Sequence, residues 1–231
     1  CCDVVELRLL EPRPEPPHVE DWLTDFVHHR PRRLRRLQGE KRAQFLANYL
    51  DPAPQDVLSR CSRSLCLVQP SRVWARFSLD PYSRKYEARM GFELEPGARD
   101  TRSTPFTYRT NPRGVSVTDL KWRALGRRWL ADGGGTLDLD PERLQEQLDA
   151  DTIYLTLGLS RAWKGKCWPL VVGVHGNAGV AEHGLRPGGG HHHVSRAVGE
   201  GIAQVIELAP RFLVIHLVVG QGGEAARTPV D

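Results

Sequence analysis

Hydrophobic and polar residues alternate with a period of two in several stretches of the chain, and that period predicts strands. The clearest is Arg72-Val73-Trp74-Ala75-Arg76-Phe77, with Val73, Ala75 and Phe77 on one face and Arg72, Trp74 and Arg76 on the other. After the turn residues Asp80-Pro81-Tyr82-Ser83, a second run gathers Tyr86, Ala88, Met90 and Phe92 opposite Lys85, Glu87 and Arg89. The two runs read as a hairpin with one apolar and one basic face. Val4 to Leu10 predicts an earlier strand, ended by Pro12, Pro14, Pro16 and Pro17. Thr152 to Leu159 and Leu170 to His175 predict a last hairpin, turned at Gly165, and Val115 to Asp119 a shorter extended piece.

Helical spacing is weaker. Leu34, Leu37, Phe45, Leu46, Tyr49 and Leu50 predict a helix over about 31–50, with Arg32, Arg33, Arg35 and Arg36 crowding its first half. Cations there oppose the helix dipole, which favours anions at an N-terminus. Asp140-Pro141 reads as an N-cap followed by proline at the first helical position. Residues 195–208 predict a helix and 212–219 a strand, beyond a Gly- and His-rich stretch that reads as a linker.

At 231 residues the chain suits one or two domains. With 40% apolar and 26% charged residues it has the composition of a globular protein. It contains no apolar run near the ~20 residues that a spanning helix needs, so no membrane partner is expected. The net charge of +4 is too small to demand a polyanion. Its distribution says more: only five of the 32 basic residues are Lys. Arginine's planar fork suits phosphate and stacks on bases, although a GC-rich genome gives the same bias together with abundant Gly and Pro. Five cysteines make no disulfide or zinc framework, and Cys66 within Leu65-Cys66-Leu67-Val68 reads as a buried strand residue. A reducing cytoplasm is expected.

Ala150-Asp151-Thr152-Ile153-Tyr154-Leu155, followed by Leu157-Gly158-Leu159-Ser160-Arg161, resembles the dual OB-containing domain family, small proteins built from two OB-like barrels. Ile153 to His175, with the Gly165 turn and Trp168, looks like that family's closing hairpin. Val4-Val5-Glu6-Leu7, Glu20-Asp21-Trp22-Leu23, Arg42-Ala43-Gln44-Phe45-Leu46, Ser64-Leu65-Cys66-Leu67-Val68 and Val117-Thr118-Asp119 continue the match in order. The resemblance covers roughly residues 3–175. Family members begin with further strands that have no counterpart before Val4, and residues 176–231 match nothing in the family. It implies a remnant first barrel with the basic helix over 1–50, a second barrel over 51–175, and a poorly packed or frame-shifted tail. Nucleic-acid binding is the family's inferred role, drawn partly from defence-associated contexts.

OB barrels bind single strands on one sheet face, with basic residues on the backbone and aromatics under the bases. Two sets of residues fit that chemistry here. Arg72, Trp74, Arg76, Lys85 and Arg89 form one; Arg161, Trp163, Lys164 and Lys166, with Trp168, form the other. The structural alternative for the first set is a packed Trp74 with arginines that lay their stems on it.

Enzyme chemistry finds little support. His191-His192-His193 with Glu182 and His183 could bind zinc, but adjacent histidines on a Gly-rich loop converge poorly. Neither Gly173, Gly176 and Gly179 nor Gly220, Gly222 and Gly223 show both the helix and the acidic residue of a dinucleotide fingerprint. Ser160 lacks the glycine of a nucleophile elbow. Cys167 and His175 form no dyad by spacing, and Asp119 in Val-Thr-Asp reads as a turn former. The expectation is a mostly-β, OB-like, non-enzymatic module without cofactor that binds single-stranded nucleic acid or RNA. A protein-interaction or structural module is the alternative.

Overall fold

The computed structural model describes residues 2–95, 106–130, 135–177, 201–209 and 212–216. Four strands come first: β1 (Cys2–Glu6), β2 (Leu9–Pro12), β3 (Asp21–Thr24) and β4 (Arg32–Leu37). Helices α1 (Gly39–Asn48) and α2 (Gln55–Leu58) lead to β5 (Leu65–Val68), β6 (Arg72–Leu79), β7 (Tyr86–Leu94), β8 (Tyr108–Arg109) and β9 (Val115–Val117). Then follow α3 (Leu120–Trp129), β10 (Gly135–Leu139), α4 (Pro141–Leu148), β11 (Thr152–Leu159), β12 (Pro169–Asn177), β13 (Gly201–Ala209) and β14 (Phe212–His216). The fold is mostly β, as the alternating pattern predicts.

The main sheet runs β10-β6-β7-β9-β12-β11-β5, with β8 added beside β7. Its end strands β10 and β5 do not pair with each other, so the described strands do not close into the expected barrel. The predicted hairpin has the predicted faces: Val73 pairs Phe92, Ala75 pairs Met90 and Phe77 pairs Ala88. These side chains are buried. Beneath them pack Val57 of α2, Trp122 of α3 and Leu144 of α4, each buried in the same core. At Gly126 helix α3 comes so close that an added Cβ would lie 2.1 Å from the Phe77 ring. On the outer face, α1 covers only one end, where Leu46 meets Leu67 of β5 and Tyr154 of β11. The outer face of β10-β6-β7-β9 carries no helix among the described residues.

The helix expected over 31–50 is corrected to a strand followed by a shorter helix. Arg32, Arg33, Arg35 and Arg36 lie on β4, paired antiparallel with β1. The carboxylates of β1 explain the choice, since Glu6 holds Arg32 and Asp3 holds Arg36, each at 2.7 Å. Gly39, with φ +50°, turns the chain out of the strand as the first residue of α1. The helix expected over 195–208 is also corrected: Gly201–Ala209 is the strand β13. It lies between β3 and β14 in a four-stranded sheet, β14-β13-β3-β2.

Candidate nucleic-acid interface

Strand pairing sets the site. Arg76 on β6 faces Arg89 on β7, Arg89 faces Ser116 on β9, and Ser116 faces Leu170 on β12. Directly opposed residues share a face, so this row crosses the uncovered outer side of the sheet. Asp138 on β10 extends it beyond Arg76. Trp74 lies one row over, paired with Gly91.

Trp74 is half-buried and held. Its indole occupies the space above Gly91, where a Cβ would lie 2.0 Å from Cε2, and its Nε1–H donates to the Pro112 carbonyl at 3.1 Å. The charges around it are mostly engaged. Arg76 donates twice to Asp138, at 2.5 and 2.8 Å. That pairing raises the Arg76 pKa and holds the Asp138 carboxyl below its ordinary value. Glu93 takes Arg109 at 3.0 Å and lies 3.9 Å from Arg72. Arg89 donates to the carbonyls of Arg113 and Gly114 at 3.0 and 2.8 Å. Lys85 pairs with Glu87 at 2.9 Å.

The second set surrounds the tip of the β11–β12 hairpin. Lys164 and Gly165 both have positive φ, 52° and 75°, and Trp163 and Lys166 bridge across them. Paired positive φ values turn a hairpin tightly, and glycine takes one of them without strain. The tip projects two aromatic rings: Trp163 is 67% exposed and Trp168 55%. The Lys164 ammonium lies 5.8 Å from the Trp163 ring centre.

Arg161 differs from its neighbours in being held by carboxylates. It donates to Asp21 at 2.6 Å, and the Asp21 side chain is 2% exposed. Glu15 lies 3.5 Å from the same guanidinium. The buried His18 ring meets the Ser160 carbonyl at 3.3 Å, and Ser64 donates to Glu20. These contacts fix the hairpin tip against the small sheet.

Trp168 belongs with the sheet face as well as with the tip. It lies two residues before Leu170, and the strand period keeps such residues on one side. Cys167, one residue before Trp168, packs toward the core. Trp74 pairs with Gly91 across β6 and β7, and Gly114, just before β9, lies against the same part of β7. Gly114 cannot carry a side chain, since a Cβ there would lie 2.4 Å from Met90 backbone atoms. Sequence reasoning overlooked Gly91 and Gly114 because only the folded chain shows what they lie against.

The discounted chemistry has structural roles where it is described. Asp119 caps α3, accepting from the amides of Lys121 and Trp122 at 2.9 and 3.1 Å. His175 lies 3.0 Å from the Thr156 hydroxyl in the interior. Burial pushes the Cys66 thiol up. No cluster of metal ligands occurs among the described residues, and His183 and His191 to His193 lie outside them. Among the described residues no helix is long and apolar enough to cross a membrane. No protein-family description, curated protein or solved structure matches the chain.

Proposed function

We propose that the chain is a non-enzymatic binding module for single-stranded nucleic acid, RNA included, using an OB-like open sheet face and the hairpin beside it. The observation that carries this reading is the tip itself. Trp163 and Trp168 are exposed together beside Lys164 and Lys166, on a turn whose base is fixed by Arg161. Exposed tryptophans are costly to leave in water, and a base stacked on one contributes roughly 1–3 kcal/mol. The lysines supply phosphate contacts, and the uncovered face of the sheet gives a strand further surface.

Fluorescence anisotropy of a labelled ten-residue single strand, titrated in rising salt, tests it. The logarithm of affinity is expected to fall with the logarithm of salt at about 0.7 per phosphate neutralised. Trp163→Ala should weaken binding with the slope kept, whereas Lys164→Ala with Lys166→Ala should flatten the slope. Binding absent at low salt, or unchanged in both variants, defeats the proposal. A protein-docking module is the second reading, favoured by the pairing of Arg76 with Asp138 and of Arg109 with Glu93, which neutralises much of the sheet face.

A further inference from the structure

A cavity of about 330 Å³ opens on the outer face of the sheet beside Trp74. That volume is at the lower end of the ~300–1,000 Å³ typical of small-ligand sites. Trp74 forms one wall, Leu139 and Pro141 add apolar surface, and Glu93, Arg109 and Asp140 supply the polar groups used below. Resting on the single-strand reading, we infer that this cavity is a subsite for one unpaired nucleobase and that it prefers guanine.

Three features support the assignment. Trp74 is already fixed by Gly91 and by its bond to the Pro112 carbonyl, so stacking a base on it orders nothing further. The carboxylates are acceptors only. Asp140 uses Oδ1 to cap α4 through the Arg143 amide at 2.9 Å, while its Oδ2 lies 3.8 Å from Arg143 Nε, too far for a hydrogen bond. The third feature is that Glu93 and Arg109, 3.0 Å apart, set an acceptor beside a cationic donor. Guanine's pairing edge offers two adjacent N–H donors and one carbonyl: Arg109 would donate to the carbonyl, and the carboxylates of Glu93 and Asp140 would take one N–H each. Uracil and thymine set two carbonyls around a single N–H and would turn lone pairs toward the carboxylates. A site that presents acceptors disfavours a base that turns lone pairs toward them.

The test compares a ten-residue oligothymidylate with the same strand carrying one central guanine. The guanine strand is expected to bind the parent protein at least about fivefold tighter, the low end for one good polar base contact. Asp140→Asn should erase that advantage and leave affinity for oligothymidylate within about twofold. Asparagine caps helices as well as aspartate does, so this variant keeps the fold, as melting checks. Equal binding of the two strands by the parent, or a guanine advantage that survives Asp140→Asn, overturns the subsite and leaves the function proposed above intact. Failure to bind either strand overturns both.

Discussion

Arg76 faces solvent, yet its guanidinium is held by Asp138 through two hydrogen bonds. A phosphate must displace a carboxylate already in place. The alternation of residues 72–77 gave Arg76 its face, but not this partner, which arrives from β10 sixty-two residues later. The ion pair lowers the Asp138 pKa from its ordinary 3.8, so its stabilisation is present above that value and is lost as pH falls through the lowered one. Both groups are more than a third exposed, so the contribution to stability is small. The effect on binding is larger. Asp138→Asn is expected to free Arg76 and steepen the salt dependence of single-strand binding by about 0.7, one phosphate contact. Arg76→Ala in the native background should change that slope far less. Anisotropy titrations at four salt concentrations read both, and equal slopes in the parent and Asp138→Asn would show that Arg76 never meets a phosphate.

Among elements, legibility followed the regularity of the strand period. β6 and β7 alternate without interruption, and their pairing reproduces the two faces read from the residues. β4 does not. Its register slips between Val4 and Val5 of β1, which pair with Arg35 and Arg33 and leave Leu34 as the extra residue of a bulge. That extra residue gives Leu34 and Leu37 a spacing of three, which imitates a helix. β12 behaves alike: Val172 is skipped between Val171 and Gly173, so Val171 and Val174 both reach the core. Asp119, legible only as a turn former, joins two elements. Its Oδ1 caps α3 and its Oδ2 accepts the Val174 amide of β12 at 3.0 Å. Asp119→Ala should therefore cost about 3 kcal/mol, ~1 for the cap and ~2 for a bond to a charged acceptor. Asp119→Asn keeps the cap and should cost roughly half as much. Urea denaturation measures both, and a cost for Asp119→Ala near that of an ordinary cap would show that the β12 bond contributes nothing.

On the scale of the whole molecule, the two larger sheets meet through polar groups that no local pattern in the sequence reveals. Asp21 leads the small-sheet strand β3, Arg161 follows the main-sheet strand β11, and 140 residues separate them. Asp21 is 1% exposed, while its partner's side chain stays half in water. Breaking such a pair from one side leaves a buried charge without compensation, whereas removing both charges leaves much less to offset. Arg161→Ala should accordingly destabilise the protein by roughly 3 kcal/mol, and adding Asp21→Asn should recover a good part of the loss rather than add to it. The same loosening releases the hairpin tip from the small sheet. Arg161→Ala should then weaken single-strand binding through disorder at Trp163 and Lys164, without the loss of salt slope that marks a phosphate contact. Urea melts of the two single variants and the double variant, run beside anisotropy titrations of the folded species, separate these roles. Additive losses in the double variant would mean that Arg161 and Asp21 act independently. A reduced salt slope in Arg161→Ala would return Arg161 to the binding surface that its sequence neighbours occupy.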